Sequence, residues 1–270
     1  MAAYSDLIIV RGAGDLASGI IHALVTEGFR VIALETGSPA SIRREVCFSE
    51  AVYDGEKTVE GVTAQLAAGP EEALRIAAEG KAAVLVDPDC SILESVTPAA
   101  LIDAVMAKKN LGTRRDMAPL TIALGPGFEA GKDADYVIET MRGPDLGRII
   151  EEGGALPDTG VPGMVGGYAA ERVIHAPADG VLHAVRRIGD SVEQGEPIAV
   201  IRGKDGTETP VFASISGALR GLIRDGFPVR KGLKIADIDP RPDSRPLCFQ
   251  ISDKSGRIAQ SVLEIIKKGG

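Results

Sequence analysis

The chain has 270 residues, 44% of them hydrophobic and 25% charged, and carries a net charge of -8. Such a make-up builds one large soluble globular domain or two modest ones, and it excludes a disordered or fibrous chain. No basic run exceeds a pair of residues and no apolar run approaches ~18, which argues against nucleic-acid partners and a membrane span.

The first residues, "MAAYSDLIIVRG", show no basic region followed by a long apolar one, so no signal peptide is expected. The three cysteines, Cys47, Cys90 and Cys248, are odd in number and far apart, which fits reduced thiols in a cytoplasm. Aromatics are only 4% and Trp is absent, so the core must be built from Ala, Val, Ile and Leu. That suits layers of helix and sheet.

Asp6 to Val10 is an apolar run of strand length, and Asp15 to Glu27 has helical spacing, with Leu16, Ile20, Ala23 and Leu24 on one side. Further strands are expected at 30–34, 82–86, 120–124 and 136–138. Pro70 opens a helix through Ala78, and Thr97-Pro98 is expected to cap another through Lys108. Strands buried on both faces read as continuous apolar runs, so the pattern predicts a Rossmann-like, doubly wound, mostly parallel sheet.

"VRGAGDLASG" supports that topology. Gly12 and Gly14 follow a strand and precede a helix, Ala17 takes the third small position, and Glu35 ends the next strand where a dinucleotide fold places an acid for a ribose. Ala13, Gly14, Asp15 and Leu16 would then offer the helix N-terminus to a pyrophosphate. Asp15 is awkward there, because its carboxylate satisfies the helix dipole itself and repels a phosphate. Three more loops leave the carboxyl ends of strands. They carry Asp87, Asp89 and Cys90; Gly125 and Gly127; and Glu139, Thr140 and Arg142. Asp87 and Asp89 read either as metal ligands or an acid-base pair, or as a turn with a helix cap. Cys90 reads as a ligand or nucleophile, or as a small inert hydrophobe. Arg142 suits an anionic group. The histidines, His22, His175 and His183, support neither a hydrolase triad nor a zinc site, and no Walker lysine precedes Ser18-Gly19.

The second half repeats itself. Residues 173–201 align with 211–238 at an offset of 37, placing Ala176 on Ala213, Gly180 on Gly217, Gly189 on Gly226 and Ile201 on Ile238. Short β runs between glycine turns predict two related units in a small all-β domain. The "APADG" and "GDSVEQG" turns resemble biotinyl and lipoyl carrier domains, which implies a barrel-sandwich hybrid. The hairpin residue Lys204 lacks the methionines of a modified lysine and reads as an ordinary turn lysine. An amphipathic helix follows over 255–268. The expected division is 1–165 for the first domain and 166–270 for the second, helix included.

Taken together, "VRGAGDLASGIIHAL", "VIALETGSPASIRREVCFSEAVYDG", "VLVDPD", "IETMRGPDLGR", "LPDTGVPG" and "LRGLIRDGFPVRKGLKIADIDPR" resemble the YqeB family, accessory proteins of a selenium-dependent molybdenum hydroxylase system. The first half is also similar to the first domain of xanthine dehydrogenase accessory proteins, where a histidine is expected in place of Asp15. The resemblance implies maturation of a molybdenum hydroxylase client. The crevice would then hold molybdopterin cytosine dinucleotide, with Gly12 and Gly14 at the phosphates and Asp89, Cys90, Thr140 or Arg142 around the rest. The competing readings are an NAD(P)-dependent oxidoreductase with an appended β domain and a non-enzymatic scaffold.

Overall fold

The apolar runs of the first half assemble into a single sheet. The computed structural model describes residues 2–3 and 5–269. Its sheet strands are β1 (Leu7–Arg11), β2 (Arg30–Glu35), β3 (Glu56–Val59), β4 (Val62–Ala67), β5 (Ala82–Val86), β6 (Ala100–Asp103), β7 (Thr121–Leu124), β8 (Tyr136–Ile138) and β9 (Ile149–Ile150). Their order is β9-β8-β7-β6-β1-β2-β5-β4-β3. The seven strands from β8 to β4 run parallel, and β3 and β9 pair antiparallel at the two edges. All of β1 and β6 is buried, as expected where helices or loops cover both faces.

The helices are α1 (Asp15–Thr26), the single turn α2 (Ala51–Asp54), α3 (Pro70–Ala78) and α4 (Asp253–Gly269). Pro70 opens α3 at a first-turn position, where its missing N–H costs nothing. Of the six connections between successive parallel strands, only β1 to β2 and β4 to β5 carry a helix longer than one turn. The doubly wound Rossmann-like sheet expected from the sequence is therefore corrected. The sheet is mixed, and loops and 3-10 turns replace most crossover helices. The expected helix over 97–108 is also absent. Val96–Thr97 forms a short strand, and residues 100–103 form β6 at the middle of the sheet.

The chain forms two compact units. The first comprises residues 1–39, 47–159 and 251–270; the second comprises 40–46 and 160–250. The C-terminal helix, expected with the β domain, belongs to the first unit. It packs on α1, and its Ile258, Val262 and Ile265 are buried. Ser255 Oγ there donates to the carbonyls of Asp15 and Leu16, at 3.1 and 3.2 Å.

The second unit holds β10 (Val173–His175), β11 (Gly180–Ala184), β12 (Ser191–Val192), β13 (Pro197–Arg202), β14 (Glu208–Phe212), β15 (Gly217–Leu222), β16 (Pro228–Val229) and β17 (Lys234–Asp239). They form two antiparallel four-stranded sheets, β10-β17-β15-β12 and β14-β13-β11-β16. The barrel-sandwich hybrid implied by the carrier-domain likeness gives way to these separate sheets. The offset of 37 relates them: β11, β12 and β13 begin 37 residues before β15, β16 and β17. Exchanging the halves turns one sheet order into the other. Hydrogen bonds repeat the exchange, since Leu182 N–H donates to Phe227 O as Leu219 N–H donates to Asp190 O. Twin isoleucines, Ile198 with Ile235 and Ile201 with Ile238, share one core. No helix among the described residues is long and apolar enough to cross a membrane.

Candidate functional site

In a parallel sheet the loops that gather functional groups leave the carboxyl ends of the strands. That edge of the first unit carries Arg11, Glu35, Asp87, Asp103 and Glu139, each at or next to the last residue of a strand. Two of them lie side by side, because β1 and β6 pair with Arg11 opposite Asp103. Arg11 Nη1 lies 3.4 Å from Asp103 Oδ2 and donates to Thr113 Oγ1 at 3.0 Å. Thr113 Oγ1 in turn donates to the same carboxylate oxygen at 2.6 Å. Nη2 donates to the carbonyls of Pro88 and Leu111 at 3.1 and 3.0 Å. Arg11, Asp103 and Thr113 are all buried. A buried ion pair is tolerated when further hydrogen bonds satisfy it; here they engage both terminal nitrogens of Arg11 and leave its Nε without a partner.

The segment from Ala104 to Thr113 leaves β6 and runs along this edge. Its residues stand against both glycine turns. A side chain at Gly12 would lie 3.2 Å from Ala104 O, one at Gly125 3.2 Å from Met106 Cε, and one at Gly127 2.5 Å from Lys109 Cα. Gly12, in the turn expected to admit a phosphate, thus stands against the backbone of Ala104, and Gly127 against that of Lys109. Met106 and Lys108 adopt left-handed conformations within it, at φ 60° and 61°.

The expected ligand contacts are engaged in the same way. Gly12 N–H donates to Leu34 O at 2.7 Å. Ala13 N–H donates to Glu35 Oε2 at 2.9 Å, and Thr36 N–H to Glu35 Oε1 at 2.8 Å. The acid expected on a ribose therefore closes the glycine turn, and a pyrophosphate there would meet a carboxylate. Gly14 caps α1 with no side chain, its carbonyl accepting from Ser18 N–H. Buried Ser18 Oγ donates to Ala13 O and accepts from Phe48 N–H. The residues do not fit the phosphates of NAD(P) or of molybdopterin cytosine dinucleotide, and the nucleotide-binding reading of this crevice is corrected.

Asp87 is a cap. Its Oδ1 accepts from Ser91 N–H and Oγ at 2.9 and 2.7 Å, and its Oδ2 from Ile92 N–H at 2.9 Å. Asp89 is exposed beside it. Cys90 is buried in a left-handed conformation, and burial pushes its thiol up to about 11, with Asp87, Asp103 and Asp89 adding to the rise against Arg11. A thiol so raised is no nucleophile near neutrality. Glu139 is fully buried and ties two loops, accepting from Met141 N–H at 2.7 Å and Leu156 N–H at 2.8 Å. Thr140 is buried against Gly125. Arg142 makes a two-pronged pair with Asp253 at the start of α4, at 2.8 and 2.9 Å. Among the described residues no group of three or more His, Cys, Asp or Glu side chains is set to hold a metal ion.

The sequence reading missed Arg11, Asp103 and Thr113. Their signal was a charge placed immediately after an apolar strand run, in "LIIVR" and in "ALID". In the second unit Lys204 lies in an exposed two-strand turn between β13 and β14.

No family model matches the chain. A protein of Escherichia coli (strain K12) named "Uncharacterized protein YqeB" is 48% identical over 261 residues, which is 97% of this chain and 47% of that protein. The chain is thus a homologue of YqeB along nearly its whole length, and it spans about half the length of that relative. The relative's name gives no molybdenum or selenium role. Neither that name nor the structure supports the maturation-factor role implied by the resemblance. Among solved structures, an aspartoacylase family protein from Mesorhizobium loti is 10% identical, with 89% of this chain and 87% of that one covered at a TM-score of 0.30. The apo ectoine utilization protein EutE from Ruegeria pomeroyi is also 10% identical, with 88% of each chain covered at 0.29. Likeness at that level carries no argument about this chain.

Proposed function

We propose that the chain is a non-catalytic binding module that presents protein surfaces to a partner. The observation that carries this reading is the occupation of the sheet's carboxyl edge by the chain's own Ala104–Thr113 segment, on glycine turns that a ligand would otherwise use. The engagement of Glu35, Asp87 and Glu139 by backbone N–H groups supports it, since a carboxylate holding several such bonds is committed to structure. The raised Cys90 thiol supports it as well.

Thermal unfolding with and without NAD, NADP and CTP tests the reading. A ligand present at 1,000 times its dissociation constant stabilises the native state by about 4 kcal/mol, a rise of several degrees for a chain of this size. The expected result is an unchanged midpoint with each compound at millimolar concentration. A dose-dependent rise with NAD or NADP would replace the reading with a nucleotide-dependent enzyme.

A further inference from the structure

We draw no further inference here: the strongest candidate, the patch of exposed valines formed by Val181 and Val185 on and just beyond β11 in the β14-β13-β11-β16 sheet, carries nothing because nothing in the structure shows what covers it.

Discussion

The carboxyl edge of the nine-stranded sheet and the twin strands β11 and β15 both set glycine against neighbouring backbone, for unlike reasons. At the edge, Gly127 stands against Lys109 in a loop that wraps back over the sheet. In the β unit, Gly180 and Gly217 share one conformation, φ 154° and 155°, and each faces the carbonyl of a twin residue, Arg202 or Asp239. The second use follows from duplication and is visible as a repeat. The first follows from one loop's path, and its counterpart at Gly12, against Ala104, looks in sequence like a phosphate-binding turn. The difference teaches that a glycine pattern reports close approach of something, and only the surrounding chain says of what.

If the edge is packed interior, damage there costs stability. Arg11→Met leaves Asp103 buried without its cation and should cost about 3–5 kcal/mol in urea unfolding, while Arg11→Met with Asp103→Leu should recover most of the loss. A neutral Arg11→Met would mean that the edge is solvated and open. Gly127→Ala combines a left-handed backbone with a contact at 2.5 Å to Lys109 Cα and should cost about 3 kcal/mol. Gly180→Ala and Gly217→Ala should cost the same as each other within about 0.5 kcal/mol, and unequal losses would break the equivalence of the halves. Asp87→Ala removes a cap and should cost about 1–2 kcal/mol. Smallest is Arg142→Ala. Its partner Asp253 is exposed, so the melting midpoint should move by the equivalent of about 0.5 kcal/mol or less.

Much of the sheet was legible. The strands at 82–86 and 136–138 and the helix opening at Pro70 follow directly from apolar runs and punctuation. The segment after Pro98 was not, because "AALIDAVMA" places apolar residues at both helical and strand spacing and is rich in alanine. Its pairing partner decided it, since β6 fills the gap between β1 and β7. That one misreading hid the rest of the site. With residues 97–108 drawn as a helix, Asp103 sits far from Arg11, and no loop remains to lie over Gly12 and Gly127. Glu35 was placed correctly at the end of its strand. Its hydrogen bond to Ala13 N–H is tertiary information that no local pattern carries.

Native-state hydrogen exchange across Ala104–Thr113 tests most directly whether the chain closes its own crevice. Ala104 N–H is held by Arg11 O at 2.9 Å, and Thr113 N–H by Asn110 Oδ1 at 2.8 Å with Thr113 buried. Both amides should exchange only through global unfolding, with the same urea dependence as the amides of β1 and β6. Exchange of these two amides at the rate of an unfolded peptide, while β1 and β6 stay protected, would show a mobile lid over an open site and would contradict the account.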